Sequence, residues 1–288
     1  MSLLIAGYGD LGKTLAQQCT QTPGWDDMPI YALKRQPLAQ DTNDHVRWIK
    51  ADLTNRDDLE QITALSDAIS HVVYCAAPNE RSQQAYRDTY LRGLQNVVHA
   101  LKARDQAELP QLLFVSSTAV YDAESTGIVD EQSPTRPTSF NGQILLEAEN
   151  WLGSSWPQPT VLRLSGIYGP DKQSLLTSIK EGRASMPASH AYWANRIHIE
   201  DAARSILHLL TNRLSGVFIG TDSQPMPLHD LYTALADMLN APKPNEASPS
   251  AMMGKKRLSN QKLLATGFEL RWPDCLQGYR AIIDANKP

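Results

Sequence analysis

Short apolar segments rich in β-branched residues recur along the first 166 residues, and longer stretches with helical periodicity lie between them. They predict six strands, at residues 3–6, 29–33, 45–51, 71–77, 111–117 and 160–166. Helices are predicted between these strands, at residues 12–21, 54–69, 82–103 and 141–152. In the third helix the apolar residues recur at intervals of three and four, which places them on one face. Strands that alternate with helices predict a parallel sheet covered by helices on both faces.

The pattern is looser after residue 166. It predicts a helix at 201–212, a strand at 216–220, a helix near 228–240 and a last helix at about 259–265 that stops before Gly267. An exposed loop is expected at 241–250 and a solvated basic turn at 255–257. We therefore predict an α/β fold with a Rossmann-type doubly wound parallel sheet in residues 1–166. A smaller C-terminal substrate lobe is predicted in residues 167–288, with residues 195–220 returning to the Rossmann core.

Length and charge limit the classes of partner. A chain of 288 residues can bury a large core with a cofactor site and a substrate site. The 27 basic and 31 acidic residues give a net charge of -4, so neither nucleic acid nor an anionic membrane is an expected partner. The sequence has no signal-peptide pattern and no apolar window of the ~18 to 20 residues that a membrane span needs, which predicts a soluble, cytoplasmic protein. The 3 cysteines and 7 histidines are scattered, so neither a disulfide nor a metal site is expected.

The segment GYGDLGKTLA directly follows the first predicted strand and opens the first predicted helix. This is the context in which G-x-G-x-x-G spacing indicates dinucleotide binding. Gly7 allows the tight turn, Gly9 lets the backbone approach a pyrophosphate, and Gly12 lets the helix pack closely on the strand. The helix N-terminus adds N–H groups and a positive dipole. The predicted cofactor loop consists of Gly7, Tyr8, Gly9, Asp10, Leu11 and Gly12.

The end of the second predicted strand distinguishes NAD from NADP. An acidic residue at this point binds the ribose hydroxyls of NAD, whereas this chain has Leu33, Lys34 and Arg35. A basic pair suits the 2′-phosphate of NADP. The alternative is that both basic side chains are simply solvated at a strand end, which leaves NAD open. We expect NADP as the preferred cofactor.

Six further segments carry recognisable motifs in a fixed order after the glycine loop. They are ADL (51–53), VVYCAA (72–77), FVSSTAVY (114–121), TVLRLSGIYGP (160–170), NRIHIEDAA (195–203) and KRLSNQKLLATGFE (256–269). Together with the glycine loop they resemble the extended short-chain dehydrogenase/reductases, the NAD-dependent epimerase/dehydratase family. The resemblance covers nearly the whole chain.

The resemblance implies roles for particular residues. It places Asp52 and Leu53 at the adenine, Ala76 and Ala77 beside the cofactor, and Ser117 at the catalytic Ser/Thr position. In this family the elements after the sixth strand cover the substrate, which is usually a nucleotide sugar, and subunits commonly pair through four helices. A homodimer and a small-molecule substrate are therefore expected. The candidate substrate-side residues are Thr118, Arg163 and His198.

The sequence departs from the family at its catalytic pair. When the family pattern Tyr-Gly-x-Ser-Lys-Leu-x-x-Glu is anchored on Glu147, Ser139 takes the tyrosine position and Gln143 the lysine position. This resembles atypical members of the superfamily that lack the Tyr-x-x-x-Lys pair. A serine and a glutamine cannot relay a proton as a phenol activated by an ammonium does, although Gln143 could still bind the nicotinamide ribose. A literal pair at Tyr168 and Lys172 spans a Gly-Pro loop, so the two are not expected to share a helix face.

Other residues are candidates for the missing proton donor. Tyr90 stands where the family has an asparagine beneath the catalytic group, and its hydroxyl could enter the vacated space. The alternative is a tyrosine that packs its helix against the sheet. His198 has a suitable pKa, with a structural role beside Asp201 as the alternative. Arg163 could bind an anionic substrate group or form an ion pair with Glu147 or Glu149.

Two functions remain open on the sequence. The first is an NADP-dependent oxidoreductase or epimerase with an unusual catalytic set, acting on a small polar or nucleotide-linked substrate. The second is a dinucleotide-binding sensor or scaffold without turnover. A nucleotide-sugar-binding protein without a dinucleotide would conflict with the intact glycine loop. Because one fold hosts many chemistries, the fold alone does not choose between them.

Overall fold

The computed structural model describes residues 1–36, 45–65, 69–104, 107–248 and 254–286. The strands are β1 (Ser2–Ala6), β2 (Ile30–Lys34), β3 (Val46–Lys50), β4 (Ile69–Tyr74), β5 (Gln111–Ser117), β6 (Gly127–Val129), β7 (Thr160–Leu164), β8 (Gly166–Tyr168), β9 (Ser185–Met186), β10 (Trp193–Ala194), β11 (Arg196–His198), β12 (Gly216–Gly220), β13 (Met226–Pro227), β14 (Asn245–Glu246) and β15 (Lys256–Leu258).

The α-helices are α1 (Asp10–Cys19), α2 (Glu60–Thr63), α3 (Gln83–Tyr86), α4 (Leu94–Lys102), α5 (Phe140–Ser155), α6 (Ser174–Lys180), α7 (Ile199–Thr211), α8 (Leu228–Leu239), α9 (Gln261–Leu264) and α10 (Cys275–Ala285). A π-helical segment, Arg87–Gly93, joins α3 to α4, and 3-10 turns occur at Asp57–Leu59 and Thr118–Val120. In the ranges that the structure describes, none of these helices has the length and apolar character needed to cross a membrane.

The central sheet has seven strands in the order β12-β7-β5-β4-β1-β2-β3. Strands β3, β2, β1, β4 and β5 pair in parallel, and all five residues of β1 are buried, as expected of a strand covered on both faces. The chain runs outward from β1 to β3 and then returns to the other side of β1. The predicted Rossmann-type α/β fold is confirmed. The reversal puts a crevice at the carboxyl ends of β1 and β4, where such folds bind ligands.

The six strands predicted in the first part of the chain all occur, with ends shifted by at most a few residues. The helix predicted at 54–69 is much shorter. It consists of the turn Asp57–Leu59 and the four residues of α2, and β4 already begins at Ile69. Polar side chains hold the preceding loop instead: the backbone N–H of Asp52 donates to Asp58 Oδ2 at 2.8 Å. Residues 66–68 of that prediction lie outside the described residues.

The chain forms two compact units. The first contains Met1–Val120, Ser139–Leu162 and Ala203–Val217, and the second contains Tyr121–Thr138, Arg163–Ala202 and Phe218–Pro288. These bounds differ from a single division at residue 166. Segment 121–138 belongs to the second unit because β6 pairs in parallel with β15. Of the segment expected to return to the Rossmann core, the part from Ala203 to Val217 lies in the first unit.

The second unit has its own apolar core, to which α6, α8 and α10 contribute. Its largest members include Tyr168, Leu176, Ile179, Leu231, Leu235, Tyr279 and Ile282. The sequence did not predict α6, α10 or the two-residue strands. Strands of two residues are too short to show a periodicity, and the burial pattern of α10 depends on this second core.

Two predictions in the C-terminal part need correction. The basic turn expected at 255–257 is largely strand β15, in which Lys256, Arg257 and Leu258 pair with β6, because Leu258 is needed in the core. The loop expected at 241–250 contains β14, which pairs with β9. Residues 249 and 250 of that loop lie outside the described residues.

Candidate functional site

The three glycines after β1 have different surroundings. Gly7 has a φ of +101°, and a Cβ there would lie 2.3 Å from the Cα of Ala76. A Cβ on Gly12 would lie 2.9 Å from the carbonyl oxygen of Gly7 and 3.2 Å from Cγ2 of Ile5. A Cβ on Gly9 would meet nothing within 4 Å. Gly7 thus permits the turn, Gly12 the close packing of helix on strand, and Gly9 leaves open space for a phosphate.

The start of α1 is held against the end of β4. Gly9 is the N-cap residue and has no capping side chain, and the N–H of Lys13 donates to its carbonyl at 2.9 Å. Cys75 fixes the loop from the other side, since its N–H donates to Ala6 at 2.9 Å and its Sγ donates to Gly7 at 3.1 Å. The helix N-terminus therefore faces the crevice between β1 and β4, and the residues present fit a dinucleotide pyrophosphate.

An aromatic and basic group lies at the end of β2. The ring of Tyr8 meets that of Trp48 edge-on with centroids 4.7 Å apart, and Lys34 Nζ lies 5.7 Å from the Trp48 ring. Arg35 is exposed. The described end of β2 and start of the following loop carry no acidic side chain, and the acidic group whose charge interacts with Arg35 is Asp52, after β3.

Asp52 and Leu53 lie beside this basic edge. Burial would raise the pKa of Asp52, but hydrogen bonds from the backbone and side chain of Thr54 and the charge of Arg35 hold it below its usual value. The Leu53 carbonyl accepts a hydrogen bond of 3.0 Å from Nδ2 of Asn96, which is buried on α4. This hydrogen bond ties α4 to the loop after β3, and Asn96 was not among the site residues predicted from the sequence.

The carboxyl end of β5 carries Ser117. Its Oγ accepts a hydrogen bond of 3.2 Å from the N–H of Ala119, which fixes the side chain on the turn Thr118–Val120. Thr118 is buried in that turn. One residue earlier, the buried Ser116 Oγ donates to Glu149 Oε1 at 2.5 Å. This bond ties β5 to α5.

Ser139 and Gln143 occupy the first turn of α5. Ser139 is the N-cap residue, with φ -86° and ψ 144° and no capping hydrogen bond from its side chain. The N–H of Gln143 donates to the Ser139 carbonyl at 3.0 Å, so the two residues are one helical turn apart. Helix α5 packs against the turn Thr118–Val120 and against the π-helical segment. A Tyr-x-x-x-Lys relay has the same spacing. The side chains at the two positions here, a serine and a glutamine, do not titrate near neutral pH.

Tyr90 lies in the π-helical segment among aromatic rings. Its ring centroid is 5.4 Å from that of Tyr86 and 6.4 Å from that of Phe114, and Tyr86 also contacts Phe140 edge-on at 5.3 Å. Burial raises the pKa of Tyr90 well above its usual value, and Tyr86 raises it further. A phenol shifted in this direction is a poorer proton donor at neutral pH. The surroundings favour the packing role over the catalytic one.

The sequence was compared with known families and structures. It matches the profile of the NAD dependent epimerase/dehydratase family over residues 3–218, which is most of the chain. The chain belongs to this family. The resemblance inferred from the motifs is thereby confirmed.

Several relatives match along nearly their whole length. Protein YeeZ of Escherichia coli (strain K12) is 25% identical over 279 residues, covering 96% of this chain and 92% of that protein. A solved structure from Methylobacillus flagellatus, named as an NAD-dependent epimerase/dehydratase, is 35% identical with a TM-score of 0.78, covering 99% and 98% of the two chains. The UDP-glucose 4-epimerase of Thermus thermophilus, solved in complex with NAD, is 19% identical with a TM-score of 0.80 and coverage of 99% and 98%. The similarity to the Thermus thermophilus enzyme shows that the two chains share a fold.

Arg163 and His198 are the family's candidate substrate-side residues, and both are buried in the second unit. Arg163 Nη1 donates to the Tyr121 hydroxyl at 2.7 Å, and its guanidinium lies 5.0 Å from the Tyr121 ring centroid. Glu147, one of its predicted partners, forms an ion pair with Arg87 at 3.0 Å. A buried guanidinium that already binds a phenol holds the Tyr121 side chain in place.

His198 is enclosed by aromatic rings. Its centroid lies 5.0 Å from Tyr168 and 5.2 Å from Trp272, and its Nδ1 accepts a hydrogen bond of 3.2 Å from the N–H of Glu200. Burial lowers the pKa of His198 below its usual value, despite the nearby acidic groups. These contacts favour the structural role. Tyr168 ends β8 and Lys172 lies in the following turn, so this pair shares no helix face, as predicted.

Lys256 is a titratable residue that the sequence reasoning passed over. Its Nζ donates to the carbonyl of Tyr121 at 3.0 Å, and the nearby Asp122 favours its charged form. Burial outweighs this effect and lowers its pKa to about 8. The basic triplet at 255–257 gives no indication that its middle member, Lys256, is half-buried in a strand.

We expect Tyr74→Phe to lower the free energy of unfolding by about 1–3 kcal/mol, because it removes a hydrogen bond to a backbone carbonyl from a fully buried side chain. Tyr74 is fully buried, and its hydroxyl donates to the carbonyl of Thr89 within the π-helical segment. Urea unfolding measures the change. The control is Tyr31→Phe, which removes a hydroxyl bonded to the exposed Arg47, where water can replace it. Equal losses in the two variants would contradict this account.

Proposed function

We propose that this chain is an NADP-dependent oxidoreductase or epimerase that acts on a small polar or nucleotide-linked substrate with a catalytic set lacking the Tyr-Lys pair. The observation that carries the proposal is the glycine loop: two glycines are sterically required and the middle one, Gly9, borders open space. Membership of an NAD-dependent family supports a pyridine dinucleotide. The Thermus relative was solved with NAD. Our choice of NADP rests on Lys34 and Arg35.

The roles proposed for the residues follow from their positions. The α1 N-terminus and Gly9 would hold the pyrophosphate, Lys34 and Arg35 the 2′-phosphate, and Gln143 the nicotinamide ribose. The nicotinamide, when bound, supplies hydride transfer. Ser117 would donate its hydroxyl proton in a hydrogen bond to a substrate oxygen, because its Oγ already accepts from the N–H of Ala119.

We propose that proton transfer is the step in which this chain differs from family members that have the Tyr-Lys pair. A serine hydroxyl without a partner base is a poor acid, and a glutamine brings no charge to lower the pKa of a neighbour. Burial raises the pKa of Tyr90, which makes its hydroxyl a poorer proton donor at neutral pH. These facts also support the second candidate, a dinucleotide sensor or scaffold without turnover. In the enzymatic case we propose that a substrate group or a water molecule carries the proton that Ser139 and Gln143 do not relay.

One experiment separates the two candidates. Purified protein is titrated separately with NADP, NADPH, NAD and NADH, and the complexes are then offered a panel of carbonyls, alcohols and nucleotide sugars. Change in the nicotinamide absorbance, or epimerised sugar detected by NMR, supports the enzyme. Tight dinucleotide binding with an unreactive panel supports the sensor. Failure to bind any of the four dinucleotides would overturn both.

Arg35→Asp is expected to weaken NADP binding by about tenfold or more relative to NAD, which corresponds to about 1.4 kcal/mol. The guanidinium is exposed at the end of β2, where a 2′-phosphate would lie. Calorimetric titration with both dinucleotides gives the ratio. Lys50→Asp is the matched control, because this exposed lysine lies opposite Lys34 on the edge strand and the charge change is identical. If the two variants lose NADP affinity equally, the loss comes from the change in net charge and not from a contact between Arg35 and the 2′-phosphate.

A further inference from the structure

Two histidines and an aspartate meet on the second unit, away from the glycine loop in the sequence. Asp230 Oδ1 lies 3.1 Å from Nε2 of His190 and 3.2 Å from Nδ1 of His229. The two imidazole rings have centroids 4.5 Å apart with an interplanar angle of 38°. One ligand atom from each residue therefore falls within 4.8 Å of the other two. Three metal-ligating side chains converge on one point.

The backbone holds the two segments in register. Strands β10 and β13 pair antiparallel, with Trp193 opposite Pro227, and the N–H of Leu228 donates to the carbonyl of Tyr192 at 2.7 Å. His190 lies two residues before this hydrogen bond, and His229 directly follows it at the start of α8. The cluster is thus placed by paired strands and a helix, which orient ligands better than a free loop does.

The ligand set suits one class of cation. Two imidazoles and a carboxylate suit zinc and its neighbours in the first transition series, whereas calcium and magnesium prefer oxygen ligands alone. Zinc lies about 2.0–2.2 Å from such atoms, which puts tetrahedral ligands roughly 3.3 Å apart. The separations of 3.1 and 3.2 Å around Asp230 are close to that value. Small side-chain rotations would admit the ion.

We propose that His190, His229 and Asp230 form a site for a divalent transition-metal ion of the zinc class, with water in the remaining coordination position. The side chains of His190 and Asp230 are 59% and 50% exposed, so an ion can enter without unfolding. The sequence predicted no metal site because the two histidines are far apart in the chain. A bound ion would cross-link the turn that contains His190 to α8.

The test uses Zn²⁺ and Co²⁺ with the intact chain. We expect Zn²⁺ to bind with a stoichiometry of one ion at this site by calorimetry, to raise the melting temperature, and to displace Co²⁺ from a complex with a visible absorption band typical of tetrahedral coordination. His190→Ala, His229→Ala and Asp230→Asn should each weaken Zn²⁺ binding by about tenfold or more. His99→Ala is the matched control, because it removes an exposed histidine from α4 and should change nothing.

Two outcomes would overturn the proposal. One is Zn²⁺ affinity in the three variants equal to that of the unchanged chain and of His99→Ala, which would assign the ion to another site. The other is failure of Zn²⁺ to bind at a pH of about 7.5, where free imidazoles are neutral, which would leave a hydrogen-bonded cluster only. The proposal does not depend on the dinucleotide, so the same titration in the presence of NADP separates it from the proposed function.

Discussion

Gly9→Val is expected to lower dinucleotide affinity by about 100-fold or more, or about 2.7 kcal/mol, without loss of thermal stability. The backbone at Gly9 has φ -91° and ψ -160°, a conformation that a β-branched residue can adopt. A Cβ there would meet no atom of the described residues within 4 Å. The valine methyls would instead fill the space through which a pyrophosphate approaches the N-terminus of α1. Calorimetric titration and a thermal melt measure the two effects.

Two other glycines serve as controls for this prediction. Gly7→Val should destabilise or prevent folding, because Gly7 has a φ of +101° and its Cβ would lie 2.3 Å from Ala76. Gly153→Ala should stabilise α5, where Gly153 is exposed, by about 0.5–1 kcal/mol and leave affinity unchanged. If Gly9→Val bound the dinucleotide as tightly as the unchanged chain, the glycine loop would not be the phosphate site.

The first part of the fold could be predicted because its local signals and its tertiary contacts agree. Leu3, Leu4 and Ile5 form a short apolar run, and they are fully buried in the middle of a parallel sheet. The glycine spacing after them has a direct physical cause in the tight turn and the helix packing. The start of α5, at Phe140 after the N-cap Ser139, lies one residue from the start predicted at residue 141.

The rest depended on contacts between residues distant in sequence. The π-helical segment forms where the hydroxyl of Tyr74 reaches the carbonyl of Thr89, and helical periodicity alone gives no sign of it. The convergence of His190 and His229 requires the pairing of β10 with β13. The burial of Lys256 requires the pairing of β15 with β6. Strands of two or three residues are set by such contacts and carry little pattern of their own.

The candidate site combines a glycine loop that fits a pyrophosphate with a first turn of α5 that carries a serine and a glutamine. Around this position Ser116 binds Glu149, Ser117 accepts a hydrogen bond within the turn after β5, and α5 begins at Phe140, one residue before the predicted start. Nearby aromatic packing involves Tyr86 and Phe140. The first turn of α5 therefore keeps the geometry for a relay and lacks the groups that titrate.

The double variant Ser139→Tyr with Gln143→Lys is expected to raise the rate of nicotinamide oxidation or reduction by about 10²-fold or more, within the range that a positioned acid or base contributes. Both positions are accessible: Ser139 is partly exposed and Gln143 exposed, so larger side chains fit without repacking the core. They are one turn apart, which lets the ammonium lower the pKa of the phenol. Nicotinamide absorbance is followed across the substrate panel as a function of pH.

The matched control is Ser139→Phe with Gln143→Lys, which has the same bulk and charge without the hydroxyl. If proton transfer limits the reaction, only the tyrosine variant should gain rate. In the direction that reduces the nicotinamide, where the phenolate accepts the substrate proton, its rate should rise with pH along a titration below the usual tyrosine pKa of ~10; in the direction that oxidises the nicotinamide, where the phenol donates the proton, its rate should fall along the same titration. A gain shared by both variants would mean that the lysine acts through the cofactor ribose. No gain in either, with dinucleotide affinity retained, would mean that the substrate pocket around Ser117 has changed as well, and the sensor function would then be favoured.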